Sequence, residues 1–410
     1  MLVFTRKNLP KDPVFPADLE KLGYFINDKD QIRKIANPEE EFQFKISTND
    51  RWNELQREAM NTCIRRIVLS RLQALGLSTL RLPLNAGPKE QHVPILASQN
   101  LGTAKRIVVV FGEPIQDLGI WAYRTVGTES ISAGSAISFA RAVLGRDESV
   151  QDHGHVSKGS KCHTDTALVI ANTGQLIWHC GSGTAMTQPT WLALPREFAV
   201  DPPLQMTRRN KIPRNSNWQE HVECVFEDVL AARGQMVSED AKIDIIGVAE
   251  GGLAAVRYLA KNWETWRKYI SGMCLANPLH SKDSDLSLDL TSPEDQSAAP
   301  DPSSFAGFMS SRCRAYLQSH RPVDHPVPGA LDYGCNCYSS GEELNAECII
   351  VGAWRSMLTW LDKLYADPTY AEVELLVEED IDDGGWDQWR KQGQKAEDEE
   401  SPKNGDETSQ

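Results

Sequence analysis

The sequence predicts an α/β fold, in which helices cover both faces of one doubly wound, mostly parallel sheet as a three-layer αβα sandwich. Two observations carry this expectation. Continuous β-branched runs alternate with amphipathic helical stretches along most of the 410 residues, as strands buried on both faces require. The stretch 243–256, IDIIGVAEGGLAAV, then reads as such a strand passing into a helix through a glycine-rich bend.

Taken in order, residues 1–41 are polar and punctuated by proline and read as an N-terminal extension, followed by a short strand at FQFKI, 42–46. In 50–75 the residues Trp52, Leu55, Ala59, Cys63, Ile67 and Leu75 fall near one helical face, with Asn49 or Asp50 as the cap. RIVVVFGEP (106–114) is a strand ended by Gly and Pro, and helix signals follow at 134–144. TALVIAN (166–172) is the next strand, and 217–234 is a helix with a Gly stop. AKIDIIGV (241–248), SGMCLANP (271–278), CRAYL (313–317) and ECIIV (347–351) are expected as further strands. The helix 353–365 closes a domain spanning 42–367. Two polar insertions, 147–165 and 281–305, are too long for ordinary connections and are expected to be mobile.

Charge is unevenly placed. Of the net −14, residues 371–410 carry fourteen acidic and four basic side chains, so the rest of the chain is close to neutral. The acidic segment 368–410 has little to bury and is expected to be disordered, Trp386 and Trp389 being the one reason to expect a contact. A near-neutral body lacks the broad basic face of phosphate-dominated nucleic-acid binding. The sequence holds no apolar run of membrane-spanning length and its first residues form no signal-peptide core, so a soluble, intracellular protein is expected, in nucleus or cytoplasm. Nine scattered cysteines suit reduced thiols better than a disulfide framework.

Gly247-Val248-Ala249-Glu250-Gly251 has the spacing of G-x-S-x-G, the nucleophile elbow of α/β-hydrolases, with Gly252 letting the helix approach the sheet. The plainer alternative is an ordinary tight turn between strand and helix. Either way Ala249 offers no lone pair to attack with and no proton for a base to remove. This fold presents nucleophile, acid and histidine in that chain order. After position 280 the sequence has only His320 and His325, beside the candidate acid Asp324, and none follows 325. Two of the three catalytic roles fail independently, so no catalytic residue is assigned.

Other constellations are weaker. His153, His155, Cys162 and His163 have metal-ligand chemistry but no usual zinc spacing, and a polar loop is the plainer reading. Cys335 and Cys337 lack the C-x-x-C redox spacing, and Cys348 follows too far on; all three read as structural thiols. Ser182 is a spare hydroxyl that no following helix frames as an elbow. No metal or cofactor is expected. The binding candidates are Gly112 and Glu113 at the end of the 106–114 strand, Trp121 above the cleft, and Arg208, Arg209 and Lys211, a basic cluster suited to RNA or an acidic partner. Tyr123, Trp178 and Trp191 are further aromatic candidates, although such rings are more often core.

The blocks KDPVFPADLEKLGYFIND, RIVVVFGEPIQDLGIWAYR, ANTGQLIWHC, IDIIGVAEGGLAAV, ANPLHS and YGCNCYSSGE occur in this order between about residues 10 and 367. Together they resemble the fungal form of the Argonaute-binding protein two (Arb two) domain. The resemblance implies an α/β-hydrolase-like fold and one of two settings. One is a small-RNA chaperone complex that holds Argonaute during heterochromatin silencing; the other is a module attached to class II histone deacetylases. With no deacetylase domain in the sequence, the standalone setting is expected: a non-catalytic scaffold with protein partners, possible direct RNA contact and no membrane. The alternative is an active, esterase-like hydrolase with a non-standard nucleophile, favoured by the retained glycines and the helix N-terminus at Glu250-Gly251.

Overall fold

The computed structural model describes residues 9–145, 165–286, 301–375 and 377. Its strands are β1 (Tyr24–Ile26), β2 (Ile32–Lys34), β3 (Leu77–Leu82), β4 (Val93–Ser98), β5 (Arg106–Phe111), β6 (Thr166–Ile170), β7 (Ile177–His179), β8 (Thr184–Met186), β9 (Lys242–Val248), β10 (Ile270–Ala276), β11 (Cys313–Leu317), β12 (Pro326–Val327) and β13 (Asn336–Ser339). The α-helices are α1 (Asp50–Ala74), α2 (Tyr123–Thr128), α3 (Ile137–Val143), α4 (Gln188–Leu192), α5 (Trp218–Cys224), α6 (Ala249–Trp266), α7 (Phe305–Arg312), α8 (Ala330–Tyr333) and α9 (Ile349–Ala366).

The central sheet runs β12-β13-β11-β10-β9-β5-β6-β4-β3. Its antiparallel pairings are β3 with β4, β4 with β6, and β12 with β13; the others are parallel. Leaving out the two-residue β12 and numbering the other eight along the chain gives 1-2-4-3-5-6-7-8 with the second strand reversed. That is the α/β-hydrolase sheet, and it places the junction of β9 and α6 where such enzymes carry their nucleophile.

The all-apolar reading of the central strands follows from burial on both faces: every residue of β5 and β10 is buried. One side packs against α1, α3 and α9 through residues such as Val68, Phe139 and Leu361. The other packs against α5, α6 and α7 through Val222, Leu259 and Met309. Asn49 caps α1 as expected, its side chain accepting from the Arg51 N–H.

Several expectations are corrected. ECIIV is not a strand: Ala346–Cys348 is a 3-10 turn and Ile349 opens α9. Ile349 and Ile350 are buried in helical register with Ala353, Trp354 and Met357, so a 3.6-residue stripe outweighs the β-branched composition. The sheet's last long strand is instead β13, NCYS. FQFKI has no ladder partner: Phe42 packs on Tyr24, Arg57 covers Phe44, and Asn53 Oδ1 takes the N–H groups of Ile46 and Ser47. The helix expected over 217–234 is α5 followed by a π-helical turn, Val225–Leu230. Tyr24 and Ile32, in the segment read as an extension, belong to the core.

At the other end, Glu372 is paired with Arg314 and Tyr338, and Leu375 donates its N–H to Asn336 Oδ1, so the chain is tied down beyond 367. Within the second insertion, Lys282–Leu286 forms a π-helical turn and Asp285 pairs with Arg257 at 2.8 Å. The expectations for 147–164, 287–300 and 378–410 lie outside the described residues.

Candidate functional site: the elbow and its cleft

Strand β9 passes into α6 with no intervening residue, and Ala249 at the bend has φ 46°. A left-handed backbone at a non-glycine residue costs about 1–2 kcal/mol, and a nucleophile elbow imposes it on its central residue. The flanking glycines are dictated by contact. A Cβ on Gly251 would lie 2.7 Å from the Phe111 carbonyl oxygen and nearer still to that of Gly112, while one on Gly247 would strike the Cα of Gly252. The helix therefore rests directly on the backbone of β5. The elbow is built, with a buried methyl at its tip.

Neither partner of a nucleophile faces it. Asp324 occupies the acid's loop after β11, but its carboxylate accepts from the Tyr316 hydroxyl at 3.1 Å and from the Ser356 hydroxyl at 2.6 Å. The loop after β13, where the histidine would sit, runs SGEELNAEC over 340–348. Glu342 there accepts the N–H groups of Leu344 and Asn345. His320 and His325 are exposed in the preceding connection.

The cleft above the bend is nearly filled. Gly112, Glu113, Trp121, Thr173, Val248 and Ile350 line a space of about 20 Å³, room for roughly one water. Trp121 Nε1 and Gln116 Oε1 are buried there without a partner among the described residues, which makes the space polar enough for a water. Thr173 closes one wall by donating its hydroxyl to the Gly112 carbonyl at 2.6 Å. The floor is a buried network on Asp117, whose carboxylate takes Arg65 Nη1 at 3.0 Å, the Tyr123 hydroxyl at 2.6 Å and Gln175 Nε2 at 2.7 Å. Arg65 continues it to Glu58 and Thr62. These bonds fix α1, the loop after β5, α2 and the loop after β6 against one another.

The charge in the cleft has the wrong sign for acyl transfer. Glu113 lies in the loop after β5, from which this fold draws an oxyanion-hole N–H, and burial, with Glu250 and Glu347 adding repulsion, pushes its carboxyl up to about 7; a hydrogen bond from Gln116 opposes this. Arg124 pairs with Glu347 at 3.3 Å on the rim. Glu250, Glu347 and, when ionised, Glu113 disfavour a further negative charge developing at the bend.

The remaining candidates scatter. Trp121, Trp178 and Trp191 are core residues at 4–5% exposure, and the Tyr123 hydroxyl is committed to Asp117. Ser182 meets His179 Nδ1 at 2.9 Å in the exposed turn between β7 and β8, but Thr184 is its other partner and, among the described residues, no carboxylate orients the ring. Cys335, Cys337 and Cys348 are buried free thiols; a hydrogen-bonded thiol neighbour and burial push the first two up, and burial pushes Cys348 up. His153, His155, Cys162 and His163 lie outside the described residues. Among the described residues no group of three or more His, Cys, Asp or Glu has metal-holding geometry, and no helix is long and apolar enough to cross a membrane. Arg208 and Arg209 lie in a 3-10 turn capped by Thr207, with Lys211 directly after it, far in sequence from the elbow loops.

Sequence reading missed the Asp117 network and His221. The His221 ring, wholly buried, faces Asn215 Oδ1 through Nδ1 and accepts the Asn172 N–H at Nε2, and burial depresses its pKa to about 3. Neither has a local motif, since the partners come from four separate elements.

A family profile described as Arb2 domain matches residues 15–323. Two curated proteins named cotranscriptional regulator ARB2A are similar. The mouse (Mus musculus) protein is 30% identical over 134 residues, 32% of this chain and 32% of that protein. The human (Homo sapiens) protein is 30% identical over 131 residues, 31% of each chain. The matched region thus spans about a third of the length of these relatives. Among solved structures, a histone deacetylase from Saccharomyces cerevisiae is similar at TM-score 0.37 and 12% identity, covering 74% of this chain and 98% of that one. A bacterial heroin esterase is similar at TM-score 0.29 and 10% identity, covering 75% and 91%. At such scores the likeness adds nothing to what the strand order already establishes.

Proposed function

We propose, from the premise that this chain belongs to the Arb2 domain family, that it is a catalytically silent binding protein acting in gene regulation. The observation that carries the reading is Ala249 at φ 46°: the elbow's strain is retained while its hydroxyl is absent. The filled cleft and the acidic ring around it support the same conclusion. Relatives named as cotranscriptional regulators favour a regulatory role in the nucleus. Within that role an Argonaute or other silencing complex is the partner we favour, with protein contact ahead of direct RNA contact, since the body of the chain is close to neutral. Fold by itself does not settle this, because hydrolase scaffolds host unrelated functions.

Two experiments test it. A fluorophosphonate probe, which labels activated serines, should leave the protein unmodified, and Ala249→Ser should restore no more than trace labelling because among the described residues no histidine follows β13 to serve as its base. Stoichiometric labelling of the wild type at any serine, Ser182 included, would sink the catalytic half. Affinity purification from the native cell should recover Argonaute or chromatin proteins; recovery of metabolic enzymes alone would remove the regulatory half.

A further inference from the structure

A second cavity, remote from the elbow, has the features of a peptide site. It opens between the β7–β8 hairpin and the 206–216 loop, with a volume of about 460 Å³, inside the roughly 300–1,000 Å³ range of ligand pockets. Leu176, Ile177 and Met206 supply its apolar part, Thr207, Asn210 and Ser216 its neutral polar part, and Arg208 and Lys211 stand at its wall. Met206 and the nearby Leu204 are half exposed. Among the described residues the side chains of Arg208, Arg209 and Lys211 have no acidic partner, whereas Arg214 close by is bound at 2.6 Å by both Glu227 and Asp228. Cations gathered beside apolar surface and left unpaired fit an occupant that is acidic and carries a large apolar side chain.

The chain itself contains such a segment. Residues 378–389, EEDIDDGGWDQW, hold six carboxylates, no basic side chain, and Trp386 and Trp389 three apart. We infer that this segment docks in the 206–216 pocket of its own molecule, a tryptophan entering between Ile177 and Met206 while its carboxylates meet Arg208, Arg209 and Lys211. The reach requires a nearly extended segment. The described chain leaves from Asn336, at the N-terminal end of β13. The pocket lies beyond the C-terminal end of β6, five strand spacings away. At about 4.8 Å per strand and about 20 Å of strand length the diagonal within the sheet is roughly 30 Å, a lower bound because the path runs over the flanking helices, and twelve extended residues from Val377 to Trp389 cover about 40 Å. This goes beyond the reading of the elbow and does not depend on whether the elbow is silent.

Hydrogen exchange on the full-length protein tests it, comparing wild type with Trp386→Ala/Trp389→Ala and with Arg208→Glu/Lys211→Glu. The tryptophan variant should raise exchange in 204–212 by about threefold or more. The charge-reversed variant, altered only at exposed positions, should raise exchange in 378–389 by a similar factor with the core unchanged. Both effects should be independent of protein concentration and should weaken in high salt. Unchanged exchange in either segment overturns the proposal, and so does protection that disappears on dilution, which would mean that a second copy supplies the segment. Probe labelling at Ala249→Ser reads the elbow alone, so the two readings fail separately.

Discussion

Gly251→Ala adds one methyl group at the point where α6 rests on β5. Its Cβ would lie 2.7 Å from the Phe111 carbonyl oxygen and 2.8 Å from the Phe111 carbonyl carbon, and closer still to the Gly112 oxygen. Ordinary carbon–oxygen contact lies near 3.2–3.4 Å, so α6 and β5 must separate by roughly 0.5–1 Å. All the atoms that would have to yield are backbone, and Thr173 pins the Gly112 carbonyl from the other side. Overpacking of this kind costs about 3 kcal/mol, from which the better helix propensity of alanine subtracts about 1. A net loss of about 2 kcal/mol follows. With an m-value of roughly 3–4 kcal/mol/M for a domain of this size, the urea midpoint should fall by about 0.5–0.7 M at unchanged m. Gly127→Ala is the control, since a Cβ there meets nothing within 4 Å; it should be neutral or slightly stabilising. Gly252→Ala is intermediate, with Gly247 carbonyl carbon at 3.1 Å and Leu275 Cδ2 at 3.2 Å. Superimposable curves for Gly251→Ala and wild type would refute the reasoning and detach the bend from any packing constraint.

Three further outcomes are expected. Ala249→Gly should raise stability by about 1 kcal/mol, because glycine adopts φ 46° without the penalty alanine bears; a loss in the same denaturant assay would contradict the strain assigned to that residue. Glu113 carries a carboxyl raised from 4.5 to about 7, so the folded state holds the proton more tightly and stability falls as pH rises from 4.5 through 7. Glu113→Gln should remove that decline and gain roughly 1–2 kcal/mol at pH 8 after allowing for solvent screening of a partly exposed group; identical pH profiles would show the carboxylate to be well solvated. Asp117→Ala leaves Arg65 and the Tyr123 hydroxyl without their shared acceptor and should cost about 3–5 kcal/mol; a thermal midpoint within a degree or two of wild type would show that the cleft floor is not held by this network.

The central strands and the bend were legible because each depends on a few consecutive residues. RIVVVF must be buried on both faces to tolerate that composition, and G-x-A-x-G-G has few uses other than a tight approach of helix to strand. What escaped depended on partners remote in sequence. ECIIV has strand composition, yet Ile349 and Ile350 are read by the sheet as the first turn of a helix whose other contacts are at Trp354, Met357 and Leu361. FQFKI alternates as an edge strand should, but Asn53 on α1 takes two of its neighbouring N–H groups and leaves no ladder to join. The missing hydroxyl of the elbow was visible at one position, Ala249; the filled cleft was not, since Thr173, Asp117 and Glu113 reach it from two different loops.

A hydrolase that merely lost its serine would keep an open cleft and a donor-lined oxyanion hole. Here the Glu113 carboxyl lines the narrowed cleft, the wall is latched by Thr173 onto Gly112, and the acid's place is taken by an Asp324 bound to Tyr316 and Ser356. Each of these bonds serves packing and would obstruct acyl transfer. The same backbone that forms the bend therefore works as a rigid joint between β5, β9 and α6. Its demand for glycine at 247 and 251 is steric. An Ala249→Ser change supplies a hydroxyl to a joint that has little room for an ester and, among the described residues, no histidine after β13 to ionise the oxygen, so acyl transfer at this bend would call for a reopened cleft, a replacement of Glu113 and a histidine after β13 together.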